Sequence, residues 1–178
     1  MECRIMAVVQ VETGVMATRN AAFVCFHTDN YKHYAGAPAE WGEKALNADV
    51  TLFAAVVRWT GAIGFPGGLV EEGETILECA IRECREEIGF SPSAENLIPV
   101  CSHEINPGFR SHLFSYKVTP EELYDIQRNS VDAEHARLEG CGVIVYHSTK
   151  ASRKNILNTP GAKSVREELE VLMDKGVI

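Results

Sequence analysis

A mixed β-sheet sandwiched between α-helices is the architecture that this chain of 178 residues predicts. Two observations carry that expectation. Short apolar, β-branched runs that read as strands are spaced along the chain with only a few helical segments between them. No internal repeat or low-complexity tract breaks the pattern, and with 46% hydrophobic residues the chain has the composition of one domain, residues 1–178, with room for a substantial core.

The elements follow in order. Residues 21–27 read as a strand, and 29–47 as a long polar insert carrying Tyr31, Tyr34, Pro38 and Trp41. Residues 50–59 are strongly apolar and β-branched, as in a buried strand. Thr60 and Gly61 then turn the chain into 62–65, its hairpin partner. Gly64-Phe65-Pro66-Gly67-Gly68 is a strand end entering a tight loop, where proline fixes φ and the glycines open conformations closed to other residues. Residues 75–88 hold no Gly or Pro and read as a helix. Two more strands, 97–103 and 112–118, flank a loop at Asn106-Pro107-Gly108. Thr119-Pro120-Glu121-Glu122 has the form of a capping box with Pro at the first helical position, opening a helix to about residue 128. Residues 138–146 read as the next strand. Ser164 to Glu167 are expected to cap a C-terminal helix whose apolar stripe is Val165, Leu169, Leu172 and Met173.

Composition narrows the function. A formal charge of −8 argues against broad nonspecific nucleic-acid binding, while leaving room for an RNA end held by a few basic residues and a metal. No run approaches the ~18 apolar residues of a membrane span, and the opening Met1-Glu2-Cys3-Arg4 lacks the long apolar stretch of a signal peptide. The six cysteines show no CxxC pair or metal-finger spacing, so reduced cysteines and a cytoplasmic or nuclear location are expected. Cys25, Cys101 and Cys141 sit in apolar runs as small hydrophobes. Cys79, on the glutamate side of its helix, is the one to watch for reactivity.

The chemistry lies in residues 68–90. Gly68, Glu74, Arg82, Glu83, Glu86, Glu87 and Gly89 stand at the spacing Gly-x5-Glu-x7-Arg-Glu-U-x-Glu-Glu-x-Gly-U, where U is bulky and apolar. On a helix, Glu83, Glu86 and Glu87 share one arc, because i, i+3 and i+4 are neighbours. Leu77, Ala80, Ile81, Cys84 and Ile88 form a separate apolar stripe that would pack on a sheet. Like charges at this spacing repel by a few tenths of a kcal/mol per pair. A hard divalent cation such as Mg²⁺ would neutralise them and bridge to substrate phosphates.

This motif resembles the signature of the Nudix hydrolases, and only Cys84 departs from its usual larger aliphatic. Gly64 to Gly68, Ser102-His103, Val118 to Leu123, His135 with Leu138-Glu139 and Gly142, and Ser164 to Glu167 further resemble one branch: the snoRNA-decapping and inosine-diphosphatase enzymes with their non-catalytic syndesmos relatives. The resemblance implies the Nudix fold and Mg²⁺- or Mn²⁺-dependent cleavage of nucleoside diphosphates linked to a further group. RNA caps, dinucleotide caps and free (deoxy)nucleoside diphosphates are the implied substrates. The partners expected are a nucleotide or capped RNA and no membrane, with a homodimer allowed. It implies that Arg82 pairs with Glu74, that Gly68 presents a carbonyl to the metal beside Glu83, Glu86 and Glu87, and that Glu139 completes the metal set. Glu86 or Glu87 would also take the water's proton. Phe23, Phe65, Gly67, His103 and Glu168 are the implied substrate-binding residues. The branch has a histidine where this chain has Phe23 and a glutamine where it has Glu168, so base recognition by stacking and broad base tolerance are expected here. A Nudix-fold module that binds RNA or protein without turnover, and an ADP-ribose-type hydrolase, are the rival readings.

Overall fold

In the computed structural model, residues 7–29 and 49–178 are described. The polar insert with Tyr31, Tyr34, Pro38 and Trp41 therefore lies, apart from Asp29, outside the described residues. After a short strand β1 (Val9–Val11), the chain forms β2 (Arg19–His27), which alternates its side chains between two cores. Ala22, Val24 and Phe26 enter one core, while Cys25, with Phe23 packed beside it, enters the other. The period of two along a strand imposes that split. The strands β3 (Thr51–Arg58), β4 (Ile63–Gly64), β5 (Gly67–Leu69), β6 (Ile98–Asn106), β7 (Phe109–Lys117) and β8 (Gly140–Ser148) complete one eight-stranded sheet. Its order is β1-β6-β7-β2-β3-β4, with β5 paired to β2 and β8 to β3.

The sheet is mixed because β2 and β7 run parallel, in unbroken register from Arg19 opposite Phe109 to His27 opposite Lys117. The other ladders are antiparallel. β2 pairs with β5 through Ala21–Phe23 at one end and meets β3 only at His27, opposite Phe53, at the other. The strand therefore splays open between them, and the loop entering β5 is drawn across its middle, where the Val24 N–H donates to the Pro66 carbonyl at 3.0 Å.

Helices α1 (Ile76–Ile88) and α2 (Pro120–Asn129) cover the first core. Behind the short α3 (Ala136–Glu139), helices α4 (Arg153–Leu157) and α5 (Val165–Asp174) cover the second. Both α1 and α2 begin with complete capping boxes, at Thr75/Glu78 and Thr119/Glu122. Among the described residues no helix is long and apolar enough to cross a membrane.

Several expectations need correction. Leu138 and Glu139 lie in α3, not on a strand, because the His135 N–H is drawn to the Glu86 carbonyl at 2.8 Å and the chain turns before β8 begins at Gly140. Ser164 does not close a capping box. It adopts a left-handed φ of 78°, and its hydroxyl makes no cap bond, donating instead to Glu168 Oε1 at 3.0 Å. The apolar and acidic faces of α1 are not separate: Glu83 and Glu87 are buried together with Cys79, Ala80, Cys84 and Ile88, while Leu77 and Ile81 are only half-buried. Cys141 is exposed, unlike buried Cys25 and Cys101; all five described cysteines are free thiols. Strand β1 and helix α4 carry too few apolar residues to announce themselves by period.

Candidate active site

Arg82 is the hub around which the motif side chains gather. Its Nε and Nη2 donate to Glu74 Oε1 and Oε2 at 2.8 and 3.0 Å, the bidentate pair that a planar guanidinium makes and lysine cannot. Nη2 also donates to the Leu69 carbonyl at 3.0 Å, tying α1 to the end of β5. The guanidinium holds the Glu74 carboxyl below the usual carboxylate range by this hydrogen bonding. The third nitrogen, Nη1, lies 2.9 Å from Glu83 Oε1 and 3.0 Å from Glu86 Oε2.

Two glycines allow the strand to approach the acidic helix. Gly67 has a φ of 146°, and a Cβ there would collide with the Ala22 carbonyl and the Phe23 ring. Its N–H donates to Glu87 Oε2 at 2.8 Å. At Gly68 a Cβ would sit 2.5 Å from Glu83 Oε1, so backbone and carboxylate are in direct apposition. The Cys79 thiol completes the seam, donating to the Gly68 carbonyl at 3.5 Å. Burial pushes that thiol up to about 12, so Cys79 is a packed structural group and not the reactive one its helical position suggested.

The donor set suits a hard divalent cation. Glu83, Glu86 and Glu87 offer oxygens only, and Glu83 and Glu86 converge on one positive nitrogen. Among the described residues no three acidic, His or Cys side chains stand in finished metal-holding geometry. Arg82 Nη1 lies between two of the three glutamates, Glu83 and Glu86. Glu139 follows Leu138 at the end of α3, and its side chain lies outside what is described.

The residues expected to bind substrate fall into two groups. Phe23 lies directly opposite Gly67 in the β2–β5 ladder and is half-buried, while Phe65 is 1% exposed in the second core. These two flank the loop that reaches Glu87. His103 and Glu168 are elsewhere on that side of the sheet and are 2% and 1% exposed. Glu168 Oε1 accepts from Ser111 Oγ at 2.7 Å as well as from Ser164, and burial pushes its carboxyl up to about 7. His103 has its Nδ1 buried without a hydrogen-bond partner among the described residues, and burial lowers its pKa.

Sequence reasoning assigned no role to His135, whose imidazole Nδ1 lies 3.8 Å from Glu86 Oε2. It also passed over the buried set Ser102–His112–Asn20, in which Ser102 Oγ is 2.8 Å from His112 Nδ1 and Asn20 Oδ1 is 3.1 Å from Nε2. Asn20 Oδ1 in turn accepts from the Ala17 N–H at 2.8 Å, so this set fastens the segment before β2 to the sheet. Alternation alone would have put Ser102 and His112 on one face of a hairpin, which is the signal that was available.

Comparison with known proteins bears on the family and the fold. A NUDIX domain is matched over residues 45–155. The chain is 32% identical over 92 residues, 49% of each sequence, to a U8 snoRNA-decapping enzyme of Homalodisca vitripennis. It is also 32% identical over 93 residues, 49% of this chain and 48% of the relative, to the U8 snoRNA-decapping enzyme of Mus musculus. The chain spans about half the length of the curated relatives it matches. A crystal structure of a mutT/nudix family protein from Listeria innocua superposes with a TM-score of 0.60 at 15% identity, covering 92% of this chain and 96% of that one, a likeness of fold alone.

Proposed function

Because the chain belongs to the NUDIX family, we propose that it is a divalent-metal-dependent pyrophosphohydrolase that cleaves nucleoside diphosphates linked to a further group. RNA caps, including dinucleotide caps, and free (deoxy)nucleoside diphosphates are the substrate classes. The observation that carries this reading is the convergence of Glu83 and Glu86 on a single cationic nitrogen, with Glu87 fixed alongside by the Gly67 N–H. The likeness to snoRNA-decapping enzymes supports the RNA-cap arm. A cytoplasmic or nuclear place of action goes with such a substrate and with five free thiols.

Mg²⁺ or Mn²⁺, held by Glu83, Glu86, Glu87, the Gly68 carbonyl and Glu139, would supply positive charge to the phosphoryl oxygens. The residues of the chain do the rest. Arg82 keeps its bidentate grip on Glu74 and Leu69, so the loop and helix stay in register when Nη1 yields its place between Glu83 and Glu86. Glu86 or Glu87 takes the proton of the attacking water. Phe23, half-buried opposite Gly67, offers the ring on which a base stacks, and Phe65 packs behind it in the second core. Stacking discriminates weakly because every base has a π-face, so the enzyme should accept several bases.

A substrate panel of capped RNA, free nucleoside diphosphates and ADP-ribose, with products identified and Mn²⁺ present, tests this. Release of nucleoside monophosphate products from caps or diphosphates is expected, with no large preference for inosine over guanosine. An inosine preference above about 100-fold would mean that hydrogen-bonding residues read the base. Binding of RNA without turnover would instead favour the non-catalytic module.

A further inference from the structure

His135 stands at the turn before α3, yet its position is fixed by α1. Its backbone N–H donates to the Glu86 carbonyl at 2.8 Å, pinning the residue to the helix that carries the glutamates. The imidazole then lies beside the Glu86 side chain, with Nδ1 3.8 Å from Oε2. That separation is too long for a direct hydrogen bond and within reach of a small ring rotation or one bridging water. On the other side, His135 and Glu87 share the wall of a partly open cavity of about 10 Å³, lined also by Val56, Ala136, Gly140, Gly142 and Val143. A space of this size with two polar walls accommodates about one water.

The three glutamates are not held equally. Glu87 has the Gly67 N–H, and Glu83 is pressed between Gly68 and Arg82. Glu86 depends on Arg82 Nη1 at 3.0 Å and on a looser contact with exposed Arg85 at 3.5 Å. When Nη1 gives way to a bound cation, the neighbours left to Glu86 among the described residues are the Arg85 guanidinium on Oε1, on a largely exposed side chain, and the His135 imidazole on Oε2, on a residue pinned to α1 by its backbone. We propose that His135 is a positioning residue of this site, whose imidazole N–H, directly or through one water, fixes Glu86 beside Glu87 for the cation. This inference rests on the reading that Glu86 holds the metal.

The test compares His135→Ala with His135→Asn, since the Asn amide nitrogen falls near the position of imidazole Nδ1. Calorimetric titration of metal-free protein with Mn²⁺ reads binding, and steady-state kinetics separate kcat from KM. His135→Ala should weaken Mn²⁺ binding and lower kcat by about 10-fold or more, the usual scale for a residue that orients a metal ligand. KM and the unfolding temperature of the metal-free protein should stay near wild type, and Asn should restore most of the loss. An Ala variant that binds Mn²⁺ and turns over like wild type would overturn the proposal, as would a loss that Asn does not restore. Glu86→Gln serves as the control. If it binds Mn²⁺ normally, the reading of Glu86 itself fails; if it is defective while His135→Ala is silent, only the role of His135 fails.

Discussion

Helices α1 and α5 pack on opposite faces of the sheet, and each buries glutamate, in opposite electrostatic settings. Glu83 and Glu87 of α1 are 8% and 5% exposed, and Glu168 of α5 is 1% exposed. Around the α1 carboxylates stand a guanidinium and a backbone N–H. Glu168 accepts hydrogen bonds from the hydroxyls of Ser111 and Ser164, and desolvation outweighs them, pushing its carboxyl up to about 7. On the proposed reading, a buried acid with a cationic partner is one that can exchange that partner for a metal. A buried acid with hydroxyl partners holds its proton well above the usual carboxylate range and is about half protonated near pH 7. Burial alone therefore does not separate a reactive carboxylate from a structural one; the charge of its neighbours does.

The largest effect expected from this contrast is on α1. Glu86→Gln and Glu87→Gln keep shape while removing charge, and turnover should fall by ~10²-fold or more, the scale of a major electrostatic contribution. Folding of the metal-free protein should survive, because repulsion within the cluster is relieved. Turnover and unfolding of the same preparations check both statements, and a loss of fold that parallels the loss of turnover would blur the two helices together.

Glu168→Gln should change stability and its pH dependence instead. With a carboxyl raised from 4.5 to about 7, the native state keeps a proton that the unfolded chain releases. The stability from this group is full below pH 4.5, is lost as pH rises through 7, and levels off above it, amounting to about 3 kcal/mol at most. Burial lowers the pKa of His103 and brings His112 to about 4, and these favour the native state in the opposite direction, as pH rises through the histidine range. Urea unfolding of wild type and Glu168→Gln at pH 5 and pH 8 isolates the glutamate by difference. Identical pH slopes for the two proteins would mean that Glu168 is charged throughout that range.

The smallest effect concerns Ser164. Its left-handed φ of 78° costs about 1 kcal/mol in a non-glycine residue, and its bond to Glu168 returns about 1 kcal/mol. Ser164→Gly should thus be close to neutral in chemical denaturation, while Ser164→Ala keeps the strain, loses the bond and should unfold more readily. Equal stability of the two variants would remove the strain from this balance.

What the residues revealed in advance follows the same physics. The α1 boundaries were legible because they depend on spacing along a single element, whereas the Arg82–Glu74 pair, which joins the helix to the loop before it, came from the resemblance. The capping box at Thr119 was legible for the same reason as the α1 boundaries. Contacts between distant segments were not. Nothing in the sequence around Ser164 shows that its hydroxyl is taken by Glu168 and Ser111, so a capping pattern was read where a buried cluster stands. Likewise Leu138 and Glu139 extend an apolar run into β8, and only the bond from His135 to Glu86, across 49 positions of chain, turns them into a helix. The burial of Glu83 and Glu87 was missed because a helical projection shows the angle between faces and not the reach of β5 across them.

The most direct measurement is of hydrolysis by metal-stripped protein, assayed with capped RNA and a nucleoside diphosphate in EDTA and again after Mn²⁺ or Mg²⁺ is added. Oxygen ligands gathered at Arg82 Nη1 predict no turnover in EDTA and recovery with either cation, saturating in the metal. Undiminished turnover in EDTA would contradict the assignment of Glu83, Glu86 and Glu87 as the residues that hold it.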